Sequence, residues 1–220
     1  MTTALDLHHV PSTAIAPAPE VMWARRHLPS EGLEAYRIIR TRLALHPLRP
    51  QIVLVTSASP SDGKSVTAVN LAGALALGGS DVLLLDGDLR QPAVHRLLGV
   101  DAEPGLAQVL RGTHTLQQAC RGVEGNRGLY VLPAGSAGHQ AGDLLQTPGW
   151  PAFLDATRTG FHYVVIDAPP VGASAAYEWL AGSADGLVLV VRQGRTGRAA
   201  CREAVRRIPS QQLLGIVWNA

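Results

Sequence analysis

Three short stretches of this 220-residue sequence carry side chains suited to binding a phosphorylated, metal-associated ligand. The first is Ala58-Ser59-Pro60-Ser61-Asp62-Gly63-Lys64-Ser65, followed by Val66. It fits the GxxxxGK[ST] phosphate loop, with Ala58 at the position of the first glycine. Gly63 permits a backbone turn that a Cβ obstructs. The N–H groups of such a loop point at an anion, and the dipole of the following helix favours phosphate there. Lys64 offers a mobile charge for the β and γ phosphates, and Ser65 a hydroxyl for Mg2+. The second stretch is Asp86-Gly-Asp88-Leu-Arg90, and the third is Asp167-Ala-Pro-Pro170. Both end hydrophobic runs, and an Asp that ends a strand after a phosphate loop is the usual Mg2+-side carboxylate of nucleoside triphosphatases. A strand-ending Asp also forms turns, so it is the convergence of three carboxylates beside one phosphate loop that points to a site. Composition agrees: of the 19 basic residues 18 are Arg, and Lys64 is the one lysine. A surface tolerates that exchange, whereas a phosphate loop needs a compact, flexible ammonium.

These residues need elements to hold them. Short β-branched or leucine-rich runs at 52–56, 82–86, 129–132, 163–167, 186–191 and 214–218 read as buried strands. Helical periodicity follows at 64–78, 149–159 and 197–207, and Pro/Gly-punctuated short helices fill 91–127. Continuously apolar strands separated by helices give a doubly wound, mostly parallel α/β sheet with both faces covered, and the phosphate loop at the end of its first strand makes that a P-loop three-layer fold. Its strand ends bring the loop and the carboxylates to one edge. Residues 1–29, with Pro11, Pro17, Pro19 and Pro29, read as a flexible lead-in. The domain then spans 30–220. Ser30 is the predicted cap of a helix running to about Leu45, with Glu31 and Glu34 in its first turn. On that helix Glu34, Arg37 and Arg40 share one polar stripe, while Tyr36, Ile39 and Leu43 can pack inward.

Composition excludes several classes. Apolar residues make up 46% and charged residues 16%, which is core-rich and unlike a disordered chain. A net charge of +2 gives no basic stripe for nucleic acid. The stretch 191–220 is locally basic, with Arg192, Arg195, Arg198, Arg202, Arg206 and Arg207 against Glu203. It reads as a solvated helix face or as a contact for an acidic partner or anionic membrane. No run reaches the ~18 apolar residues of a spanning helix, and the start lacks the pattern of a secretory signal. Cys120 and Cys201 stand alone, which suits a reducing cytoplasm. The eight His residues show no metal-ligand spacing.

The motifs resemble those of the bacterial tyrosine kinases (BY-kinases), cytoplasmic partners of capsule and exopolysaccharide export. The resemblance runs from about Glu31 to Ala220. It rests on the loop Ala58–Ser65, the second motif Asp86-Gly-Asp88-Leu-Arg90, the strand Val164-Val-Ile-Asp167 with Pro169-Pro170, and Glu34-Ala-Tyr36-Arg37-Ile-Ile-Arg40, which matches the family's ExxRxxR. In the wider deviant-Walker group of MinD- and ParA-like ATPases a second lysine lies five residues before the loop lysine. That position is Ser59 here, which agrees with the kinase branch, where that lysine is generally absent. An iron–sulfur reductase relative would need bridging cysteines.

The resemblance implies ATP and Mg2+ as cofactors. It implies base and metal duties for Asp86 and Asp88, water-mediated metal support from Asp167, a supporting Arg90, and Asn219 near the adenine. It implies that Glu34, Arg37 and Arg40 meet a neighbouring protomer in a ring. The implied partners are a separate membrane-embedded chain-length regulator as activator, and tyrosine-containing proteins as substrates. The implied location is the cytoplasm, at the inner face of the plasma membrane.

Two departures stand out. The tyrosines are Tyr36, Tyr130, Tyr163 and Tyr177, with no terminal cluster, and Ala176 stands where relatives commonly carry Asp. The readings left open are a kinase acting on other proteins or on an internal tyrosine such as Tyr36, a nucleotide-switched assembly subunit of the export machinery, and a positioning ATPase.

Overall fold

The structure, a computed structural model, describes residues 6–24, 31–138 and 141–219. Eight strands form one sheet: β1 (Ser12–Thr13), β2 (Ile52–Ser57), β3 (Val82–Asp86), β4 (Arg121–Val123), β5 (Leu129–Leu132), β6 (Tyr163–Asp167), β7 (Gly186–Arg192) and β8 (Leu213–Asn219). Their order is β1-β4-β5-β3-β6-β2-β7-β8. Every pairing is parallel except β4 with β5. Every residue of β2 and β3 is buried, as a parallel sheet covered on both faces requires.

Alternate strand residues feed two cores. Ile52, Leu54, Leu83, Leu85, Val164 and Ile166 pack with α6 (Gly149–Gly160), α7 (Ala175–Ser183) and α8 (Arg198–Arg207). Val53, Val55, Val82, Leu84 and Val165 pack with α1 (Glu31–Ala44) and α2 (Lys64–Ala76). The doubly wound architecture expected from the hydrophobic runs is therefore present. Three short helices, α3 (Val94–Leu98), α4 (Leu106–Leu110) and α5 (Leu116–Ala119), fill the region between β3 and β4.

Helix α2 carries the phosphate-loop lysine at its first position, and every residue from Thr67 to Ala76 is buried. Helix α1 covers one side of it, with Tyr36 and Leu43 turned inward as their spacing predicts and Ile39 partly buried beside them. The predicted cap, Ser30, lies outside the described residues.

The lead-in corrects the expectation of a flexible tail over residues 6–24. Val10, Val21 and Trp23 are buried. Ser12 and Thr13 pair with Gly122 and Val123, and Ala16 and Ala18 donate to the carbonyls of Leu98 and Leu97 at 3.0 and 2.8 Å. Asn70 on α2 accepts from Met22 N (2.7 Å) and donates to the Glu20 carbonyl (2.9 Å). The Trp23 indole donates to the Val69 carbonyl at 3.1 Å and lies on Gly73, where a Cβ would collide with the ring. Single apolar residues between prolines give no period to read, and a two-residue strand at a sheet edge tolerates neighbouring prolines.

Candidate active site

The chain leaves β2 into a loop that is fixed from two sides. Ser61 and Gly63 adopt left-handed backbone conformations, at φ 64° and 96°. A Cβ on Gly63 would strike the side-chain amide of Asn219, which donates to the Asp62 carbonyl at 2.9 Å. The Asp62 carboxylate is fully buried. One of its oxygens accepts from Ser59 N at 2.9 Å, and the other from the Thr196 hydroxyl at 2.8 Å. Thr196 in turn accepts from Arg192 N at 2.8 Å. The Arg192 guanidinium reaches the Ser61 carbonyl at 3.4 Å. The loop is thus braced from the end of β8 and from the β7–α8 turn. Sequence reasoning placed Asp62 in the loop but missed Thr196 and Arg192. They lie more than 130 positions away in the chain, and only the β2–β7 pairing brings them near.

The carboxylates meet Lys64 at the ends of β3 and β6, where Asp86 and Asp167 are direct neighbours in register. The Lys64 ammonium lies 3.1 Å from Asp88 Oδ2, 3.3 Å from Asp167 Oδ1 and 3.3 Å from Ser65 Oγ. Burial pulls the Lys64 pKa down, but Asp167 and Asp88 outweigh it and hold the group above its ordinary value. Burial raises the Asp167 carboxyl, against the pull of Lys64 and Ser65. Asp86 Oδ2 accepts from Ala93 N and Val94 N at 2.9 and 3.0 Å, and its Oδ1 accepts from Asp88 N at 3.3 Å. Burial, with the charge of Asp167, pushes Asp86 up to about 7 in spite of those N–H donors and Lys64. Asp88 Oδ1 is held by Gln91 N at 3.0 Å, which leaves Oδ2 for Lys64. Removing one member of such a buried ion cluster is costly, because the remaining charges lose their compensation.

A cleft of about 980 Å3 opens over the loop, and Lys64, Ser65, Asp88, Arg90, Arg192 and Asn219 are among its walls. Glu20 and Met22 of the lead-in close one side. A smaller recess of about 680 Å3 adjoins it, sharing Arg90 and Ser174, and buried Ala176 lies in its wall. Asp167 Oδ2 is buried without a hydrogen-bond partner. That orphaned oxygen, with the Ser65 hydroxyl close by, fits Mg2+. Among the described residues no group of three His, Cys, Asp or Glu side chains could hold a metal ion by itself. The fit is therefore to an ion that completes its shell with phosphate and water oxygens, as Mg2+ does.

The structure gathers most of the expected residues at this edge: the loop Ala58–Val66, Lys64, Asp88, Asp167, Arg90 and Asn219. Asp86 stands behind them, committed to backbone N–H groups. Glu34, Arg37 and Arg40 lie apart on α1. Glu34 and Arg37 form an exposed ion pair at 3.0 Å, and Arg40 donates to the Ala74 carbonyl on α2 at 3.2 Å. Tyr36 is no accessible acceptor: it is 7% exposed, facing α2. Cys120 is fully buried and its thiol is pushed up to about 12 by burial, the state of an inert core residue.

Similarity to known proteins follows the same lines. The family profile of ATPase MipZ matches residues 51–193. Tyrosine-protein kinase YwqD of Bacillus subtilis (strain 168) is 35% identical over 191 residues, covering 84% of this chain and 80% of that protein. The EpsB protein of Ralstonia solanacearum is 33% identical over 205 residues, covering 91% of this chain, and this chain spans only 27% of its length. The crystal structure of the chimerical protein CapA2B2 superposes with a TM-score of 0.85 at 26% identity, over 95% of this chain and 93% of that one. With its phosphate loop, its Asp86-Gly-Asp88 turn and these identities, the chain belongs to the bacterial tyrosine-protein kinases and shares the MipZ ATPase family profile.

Proposed function

We propose that this protein transfers the γ-phosphoryl group of ATP to tyrosine hydroxyls of other proteins, in the regulation of exopolysaccharide or capsule export. The observation that carries the proposal is the Lys64 ammonium held between Asp88 and Asp167 at the floor of the cleft. The loop N–H groups and Lys64 would hold the β and γ phosphates, and Asn219, bonded to the loop at the Asp62 carbonyl, would face the adenine. When Lys64 turns to phosphate, Asp88 Oδ2 loses its partner and faces the cleft. It then accepts the tyrosine proton as the tyrosine oxygen bonds to the γ phosphorus and the bond to the bridging oxygen of ADP breaks. Asp86 holds the backbone of Asp88 in place for that transfer. Ser65, with support from Asp167, would hold Mg2+, which would neutralise charge on the phosphates.

The same reading assigns the outer residues of α1, Glu34 and Arg37 with Arg40 at their side, to contact with a neighbouring protomer. It assigns activation to a separate membrane-embedded chain-length regulator, which would keep the protein at the inner face of the membrane. No helix among the described residues is long and apolar enough to cross a membrane.

A second reading, a nucleotide-switched assembly subunit, is favoured by one observation. Tyr36 and Tyr177 are buried and Tyr130 and Tyr163 half-buried, so none stands fully exposed as an acceptor. The experiment that separates the two mixes the purified protein, ATP·Mg2+ and the cytoplasmic segment of a candidate activator, and probes every component for phosphotyrosine. Phosphotyrosine on any component supports the kinase. Nucleotide binding without it leaves the switch.

A further inference from the structure

At the end of the sheet opposite the lead-in, β8 pairs only with β7 among the described residues. The Asn219 carbonyl accepts from Gln193 N at 2.8 Å and so points toward β7. Successive strand residues direct their backbone groups to opposite edges. The N–H and C=O groups of Ile216 and Trp218 therefore point outward, away from the sheet. Their side chains are also uncovered, 40% and 67% exposed. Val217, between them, packs into the core on the α2 side, so Ile216 and Trp218 lie on the face that carries α8.

Helix α8 is asymmetric about this edge. Ala204 and Ile208 are buried, and Cys201 and Val205 pack partly against the same core. At 100° per residue, Glu203 and Arg207 fall on one flank of that buried stripe and Arg198 and Arg202 on the other. The first flank faces the sheet interior: Arg207 pairs with Glu203 at 3.0 Å and lies against Gly172, in the turn before α7. The second flank consequently lies on the β8 side of the helix. Arg198 and Arg202 are exposed and have no carboxylate partner among the described residues.

From this juxtaposition we infer that the β8 edge receives an extended, acidic segment of another protein, which pairs with the outward backbone of Ile216 and Trp218 and sets its carboxylates against Arg198 and Arg202. Strand addition of this kind draws affinity from main-chain hydrogen bonds and specificity from alternate side chains. Two other occupants fit worse. A second copy paired edge to edge would bring two sets of unpaired arginines together. A lipid surface cannot satisfy the outward N–H and C=O groups, which stay costly in hydrocarbon, and two apolar side chains give it little to bury. The inference does not depend on the kinase reading.

The test uses the full chain and a fluorescently labelled heptapeptide of alternating glutamate and valine, with a lysine–valine heptapeptide as its counterpart, followed by anisotropy. The glutamate peptide is expected to bind at least ~10-fold more tightly. Arg198→Glu with Arg202→Glu should reverse that preference. Ile216→Pro, which removes an outward N–H and leaves the β7 ladder intact, should abolish binding of both peptides while ATP binding persists. If Ile216→Pro fails to fold, the charge reversal still decides. Equal binding of the two peptides, or no binding of either, overturns the inference. So does dimerisation in sedimentation that Ile216→Pro abolishes, or co-sedimentation with phosphatidylserine vesicles that the charge reversal abolishes while peptide binding is missing.

Discussion

Thr196→Val keeps the shape of the side chain and removes one hydroxyl. That hydroxyl donates to the buried Asp62 carboxylate and accepts from Arg192 N, each at 2.8 Å. A hydrogen bond to a charged group contributes ~1.5–3 kcal/mol, and a buried group left without its partner costs ~1–3 kcal/mol. Arg192 is half-buried, so water recovers part of its loss, and the expected destabilisation is about 2–3 kcal/mol. The other Asp62 oxygen holds Ser59 N in the loop, so the loss reaches the nucleotide. If about 2 kcal/mol of loop order goes with the hydroxyl, the dissociation constant for ATP rises by ~30-fold. Calorimetric titration of nucleotide into wild type, Thr196→Val and Thr196→Ser measures this directly, alongside urea unfolding. The valine variant should weaken binding and raise KM more than it lowers kcat, and the serine variant should restore most of it. If Thr196→Val loses stability but binds nucleotide as wild type does, the loop is not held through Thr196 and the bracing argument fails.

Asp86 titrates at about 7 in the folded protein, against roughly 3.9 in an unfolded chain. A raised carboxyl binds more protons folded than unfolded, so the nucleotide-free protein should lose stability as pH rises from about 4 through about 7. Urea midpoints should show that slope in wild type and a flatter one in Asp86→Asn; equal slopes would assign the effect elsewhere. Gly63→Ala forces a Cβ onto a left-handed backbone and into the Asn219 amide. Nucleotide binding should fall by at least ~10-fold with only ~1–2 kcal/mol of stability lost. Trp23→Ala removes a buried ring and its bond to Val69. It should cost ~3–5 kcal/mol in chemical unfolding, whereas a lead-in that does not pack would show no loss.

The sheet was legible because its strands are continuous apolar runs such as Ile52–Val55 and Val82–Leu85, each ending where a carboxylate or the loop begins. Lys64, Ser65, Asp88 and Asp167 could be read for the same reason: motif spacing and strand ends carry them to one edge. What escaped reading depends on contacts distant in sequence. Strand β4 offers a single apolar residue, Val123, and forms against β5 and β1 rather than from its own pattern. Trp23 and Val21 look like isolated residues in a proline-rich stretch until small residues on α2, Gly73 above all, admit the indole. The Asp62–Thr196–Arg192 chain joins two loops through polar atoms that no periodicity marks. The division of labour between Asp86 and Asp88 was hidden as well. Which carboxylate turns to the backbone and which to Lys64 is decided by the turn into α3, where Ala93 N and Val94 N claim Asp86.

The proposed role of Lys64, clamped by Asp88 and Asp167, is ATP-dependent phosphoryl transfer to tyrosine. Its most direct test compares wild type with Lys64→Ala at pH 7, given ATP·Mg2+, a tyrosine-containing protein substrate and the activator segment, with phosphotyrosine formation followed over time. Wild type should form phosphotyrosine, and Lys64→Ala none above background. Equal phosphotyrosine formation by the two proteins would contradict it.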